Sequence, residues 1–104
     1  MKFQLVFQID ADTDDDFDRL TDIEEAIETQ LTNSEESYLD GHDFGMGEFN
    51  IFVHTNAPQT EFVNLADLLR RISPGLSYRA GFRDFEENGY TVLWPPSLTT
   101  FAIA

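Results

Sequence analysis

Fifteen residues, Asp40 to His54 (DGHDFGMGEFNIFVH), carry three of the six glycines, both histidines and an apolar–polar alternation on each side of a Gly45-Met46-Gly47 corner. Glycine tolerates the positive φ that tight hairpin connections demand. The stretch therefore predicts a β-hairpin, with arms from Tyr38 to Phe44 and from Glu48 to Thr55. The remaining segments are expected to extend this hairpin into a sheet and to cover it with helices.

Before the hairpin, Phe3, Leu5, Phe7 and Ile9 alternate with Gln4, Val6 and Gln8, the period of a half-buried strand. Thr13 followed by Asp16 resembles a capping box. Phe17, Leu20, Ile23, Ile27 and Leu31 then recur at spacings of three and four, which predicts a helix from about Asp14 to Leu31 with one apolar stripe. After the hairpin, Pro58 suits the first turn of a second helix, whose stripe is Phe62, Leu65, Ala66, Leu69 and Ile72. Ser73-Pro74-Gly75 stops it. Leu76 to Phe85 and Tyr90 to Trp94, around Asn88-Gly89, read as a further hairpin. The tail from Ser97 to Ala104 is apolar enough to pack back on the body. The order β-α-β-β-α-β with a fifth strand predicts an α+β, ferredoxin-like two-layer sandwich, in which two helices cover one face of an antiparallel sheet and leave the other open. With 104 residues, 41% of them hydrophobic, a single domain spanning 1–104 is expected.

The charge excludes some functions. Twenty acids against six cations give a net of −14, a field that repels phosphate backbones and anionic headgroups, so neither direct nucleic-acid binding nor membrane binding is expected. No segment approaches the roughly 20 apolar residues of a membrane-spanning helix. The N-terminal MKFQLVFQID reads as a strand and not a signal peptide, which makes the cytoplasm the default location. With no cysteine, thiolate metal sites and thiol nucleophiles are absent. Ten phenylalanines against three tyrosines and one tryptophan point to aromatic core filling more than to a wet binding surface.

The residues with chemistry to offer gather on the predicted open face. If Phe44 pairs with Glu48, then His42 faces Asn50, Asp40 faces Phe52 and Tyr38 faces His54 on one side, beside Gln4, Val6 and Gln8, with Arg79 and Arg83 joining from the fourth strand. A slip of one residue instead turns Asp40 and His42 inward. The pairing that leaves only Asp43 inward is preferred, because burying an unpaired polar group costs about 1–3 kcal/mol. His42 and His54 stand roughly 13 Å apart at 3.3 Å per residue, too far to share a metal ion. The acidic run from Asp10 to Asp18 invites a calcium reading, but an EF-hand beginning at Asp10 needs glycine and glutamate where this chain has Asp15 and Thr21. Helix capping and dipole stabilisation account for it. Arg70, Arg71, Arg79 and Arg83 suit an anion or, more simply, the chain's own carboxylates. No phosphate loop, nucleophile elbow or dinucleotide fingerprint is present, and no cofactor is expected.

The run Gly41 to Phe52 (GHDFGMGEFNIF) resembles a GHD-F-G-x-GE-x-NIF signature of small acidic bacterial proteins, a resemblance carried by these twelve of the 104 residues that implies no activity. Two readings follow. The first is a non-enzymatic interaction domain. It self-associates, as a symmetric homodimer, through a sheet edge or the open face, or it binds a basic protein such as a toxin or a nucleic-acid enzyme. The second is a small-ligand binder or enzyme on the same face, with His42 as acid/base, Asp40 or Glu48 orienting it, and Arg79 or Arg83 holding an anionic substrate.

Overall fold

A computed structural model describes residues 1–103. Seven elements follow in order: β1 (Phe3–Asp10), α1 (Asp14–Leu31), β2 (Ser37–Gly45), β3 (Glu48–Thr55), α2 (Pro58–Ile72), β4 (Arg79–Asp84) and β5 (Thr91–Trp94). The five strands form one sheet in the order β2-β3-β1-β4-β5, with every neighbouring pair antiparallel. The molecule is thus α+β, with β1 at the centre of the sheet and the nine-residue β2 and four-residue β5 at its edges.

Local chemistry fixes the helix ends. The Thr13 hydroxyl accepts the Asp16 N–H at 3.1 Å, and Asp14, Asp15 and Asp16 occupy the first turn of α1, where carboxylates offset the positive end of the helix dipole. Pro58 opens α2, and Arg70 and Arg71 stand in its last turn, matched to the negative end. Leu20, Ile23, Ile27 and Leu31 of α1 and Leu65, Leu68 and Leu69 of α2 pack on Leu5, Phe7 and Ile9 of β1 and Phe49, Ile51 and Val53 of β3. Both helices therefore share one side of the sheet. Fully burying each such side chain contributes about 1.5–3 kcal/mol before conformational entropy is charged against it. Leu68 joins this core where the expected stripe had Ile72, which is the last helical residue and is left exposed beyond the sheet.

The hairpin differs from the preferred pairing. Its corner is a two-residue turn of Met46 and Gly47, with φ of 54° and 77°, and Gly45 pairs with Glu48. Two positive φ values in succession make a connection that matches the twist of the flanking strands, which a three-residue corner would not do as well. The consequence is a slip: Phe44 pairs with Phe49, Asp43 with Asn50 and His42 with Ile51. A β-bulge between Leu39 and Gly41 then absorbs Asp40 as an extra residue and restores the expected pairing of Tyr38 with His54. Each of the two alternative registers thus holds for half of β2.

The face away from the helices is not open at its centre. The C-terminal segment crosses it: Phe101 is buried, its ring lies against Gly81 and 5.1 Å from the Tyr90 ring, and the Ala102 carbonyl accepts a hydrogen bond from Gln8 Nε2 at 3.0 Å. Val6 beneath is fully buried, and Gln8 and Asn50 are 2% exposed.

Candidate functional site

Cross-strand pairing sorts the residues of this face into rows. Tyr38, His54, Gln4 and Arg83 form the first, Gly41, Phe52, Val6 and Gly81 the second, and Asp43, Asn50, Gln8 and Arg79 the third. The sheet thus brings together Gln4, Val6, Gln8, Tyr38, Asn50, Phe52, His54, Arg79 and Arg83. It does not bring His42. The two polar rows flank an apolar one, and the C-terminal segment lies over the apolar row and part of the third.

Most of the polar groups bind one another. Arg79 donates to Gln8 Oε1 and to Asp10 Oδ1, each at 2.7 Å, and lies 3.6 Å from Glu48 Oε2. The hydrogen bond from Arg79, with its charge, holds the Asp10 carboxyl below its ordinary value, and the same bond raises the guanidinium. Gln8 Nε2 donates to Asn50 Oδ1 and Glu48 Oε1, both at 3.1 Å. Arg83 donates to Gln4 Oε1 at 3.3 Å and to the Glu87 carbonyl at 3.1 Å, while the Tyr90 hydroxyl donates to the same Gln4 oxygen at 2.7 Å. Neither arginine is held ready for an anionic substrate. Asp40 reaches His54, with 3.4 Å between Oδ2 and Nε2, and the Tyr38 hydroxyl lies 2.7 Å from His54 Nδ1.

His42 belongs to the helix side, a correction to the expected acid/base site. The turn chemistry places it beside Phe44, its ring stacks on Phe49 with centroids 4.8 Å apart, and its edge meets Phe17 of α1. Its Nδ1 lies 2.8 Å from Glu24 Oε1, while Glu24 Oε2 is buried with no partner. His42 therefore pins the edge strand to α1. Asp40 and Glu48, the expected orienting groups, serve His54 and Gln8 instead. Sequence reasoning missed Glu24 because α1 and the hairpin arm are far apart in the chain. It also missed Phe85, whose ring packs edge-on against His54. Among the described residues, no three His, Asp or Glu side chains converge as ligands for a metal ion.

Two further surfaces are defined. A groove of about 900 Å³ runs beside α2, lined by Phe62, Tyr78, Trp94, Arg70 and Arg71 among others. No histidine reaches it, and both arginines pair with Asp67. The second surface is electrostatic. Asp10 to Asp43 holds fourteen of the twenty acids and one of the six cations, Arg19, leaving six acids and five cations for the rest. Twelve of these acids and Arg19 sit on α1, the loop after it and β2, and α1 packs beside β2. Asp15, Asp18, Asp22, Glu25 and Glu28 are exposed on the side of α1 opposite its buried stripe.

No helix among the described residues is long and apolar enough to cross a membrane. No protein family, curated protein or solved structure matches the chain.

Proposed function

We propose that this protein is a non-enzymatic interaction domain of ferredoxin-like topology that docks a basic protein on the face made by α1 and β2. The order β2-β3-β1-β4, antiparallel throughout and with both helices on one side, supports the topology. The segregated charge carries the functional reading. A segment, Asp10 to Asp43, that carries thirteen of the molecule's fourteen net negative charges, with Asp15, Asp18, Asp22, Glu25 and Glu28 exposed along α1, steers and orients a cationic partner far better than the same charge spread evenly. A toxin or a nucleic-acid enzyme, whose working surface is made to meet phosphates, has the complementary chemistry.

The geometry weakens the alternatives from which the proposal is chosen. The enzyme reading needs His42, an orienting acid and a free arginine together, and these lie on two sides of the sheet. Self-association needs an uncovered face or a receptive edge. The face is crossed by Phe101 and Ala102, the β2 edge is bulged and acidic, and β5 is four residues long and followed by two prolines. Bulges, charge and shortness are the devices that stop edges from pairing.

The test is binding to poly-lysine by two variants with the same change in net charge. Asp18→Asn/Asp22→Asn/Glu25→Gln is expected to weaken binding about tenfold, roughly 1.4 kcal/mol, and to flatten its salt dependence. Asp84→Asn/Glu86→Gln/Glu87→Gln, away from the face, is expected to change it little. Equal losses in the two would show that total charge and not a defined face drives binding, and would overturn the proposal.

A further inference from the structure

On the side of the sheet away from the helices, the row at the chain's N-terminal end finishes in three side chains set as nucleophile, base and orienter. The Tyr38 hydroxyl lies 2.7 Å from His54 Nδ1, and the Asp40 carboxylate faces His54 Nε2 at 3.4 Å. A carboxylate only accepts, so it favours the imidazole proton on Nε2 and leaves the Nδ1 lone pair to receive the Tyr38 O–H. Phe85 packs against the imidazole with centroids 4.8 Å apart, while Tyr38 is 47% exposed. The fold builds this deliberately: Tyr38 and His54 are direct cross-strand partners, and Asp40 is the extra residue of the bulge. Bulges recur where a strand must re-aim a side chain.

We propose that Tyr38 is an activated nucleophile, primed by His54 and Asp40, that accepts the acyl group of small activated esters. The phenolic oxygen attacks the acyl carbon as its proton passes to His54 Nδ1. The bond from that carbon to the leaving oxygen then breaks, the leaving group departs with the electron pair and takes the proton back from His54, and the acyl group remains on Tyr38. Asp40 faces the imidazolium that forms between these steps. The half-exposed Phe85 ring gives the donor an apolar footing beside the imidazole. The other groups facing His54 are Gln4, opposite it on β1, and Arg83 of β4, whose guanidinium lies 5.3 Å from the Phe85 ring. Tyr90 is an internal control, since its hydroxyl donates to the amide oxygen of Gln4, which is no base. The site shares β2 and Asp40 with the acidic segment, but acylation of Tyr38 needs no cationic partner, so the two readings fail separately.

The experiment is reaction with 4-nitrophenyl acetate, with the acetyl group on each tyrosine read by peptide mass. Tyr38 is expected to react at least about tenfold faster than Tyr90, a modest part of the 10²–10⁴ that a positioned base supplies. Its rate is expected to level off in the neutral range, where a free tyrosine's rate still climbs toward pH 10. His54→Gln is expected to bring Tyr38 to the Tyr90 rate, and Asp40→Asn to slow it severalfold. Reaction of Tyr38 no faster than Tyr90, or a rate that follows the free-phenol pH profile in the unaltered protein, would overturn the proposal, and the second readout decides even if a variant fails to fold.

Discussion

Gly81 is the residue on which the covered face depends. A Cβ built there would stand 2.8 Å from the Phe101 ring and 3.1 Å from the Thr91 carbonyl, closer than packed atoms approach. Gly81→Ala is expected to cost about 1–3 kcal/mol through overpacking, and Phe101→Ala about 3 kcal/mol through the lost ring. The double variant is expected to cost less than the two together, because removing the ring relieves the clash, and chemical denaturation of all four proteins measures the coupling. Tyr78 offers a second check. Burial holds its phenol above the ordinary 10.0, against the opposing pull of Arg70. The folded state thus favours the neutral form, so the stability tied to it is present below the ordinary value and is lost as pH rises through the raised one. Alkaline titration followed by ultraviolet absorbance is expected to show one late tyrosine, and Tyr78→Phe to remove it. Neither residue's role was legible in the sequence. Gly81 reads as a small strand residue until a ring twenty positions away is laid on it, and that tail has no periodicity to say where it lies.

At the scale of elements, the helices were legible and the hairpin register was not, for one reason. The bounds of α1 are set by neighbours in sequence: a hydroxyl that caps, acids in the first turn and a stripe at spacings of three and four. The register of β2 depends on whether the corner takes two residues or three, and Gly45-Met46-Gly47 permits both. The choice of two moved Asp43 outward and His42 inward, and only the bulge at Asp40 restored Tyr38 to the side of His54. This account makes Met46 the strained member of the turn, a non-glycine residue at a φ of 54° with its side chain in solvent. Met46→Asn, the residue favoured there in two-residue turns, is expected to stabilise the fold by about 0.5–1 kcal/mol in thermal or chemical denaturation. A destabilisation would mean that the methionine makes contacts the turn geometry does not require.

At the scale of the whole molecule, the composition announced a strong negative field but not its shape. The residues of β1, β3 and β4 expected on the open face are all there, because these strands alternate as their side chains predict, yet the tail turned the middle of that face from a surface into an interior. The most concentrated charge left exposed is the acidic flank of α1. Self-repulsion of that flank and the guarded sheet edges lead to a monomer, so light scattering is expected to give a mass near 11.9 kDa at moderate salt. The most direct measurement of the central claim is an amide chemical-shift titration of the labelled protein with poly-lysine. The account predicts salt-sensitive shifts concentrated in α1 and β2, with β4, β5 and the Phe101 segment almost silent. Shifts led by the Arg79–Arg83 strand and the C-terminal segment, or spread evenly over the molecule, would contradict it.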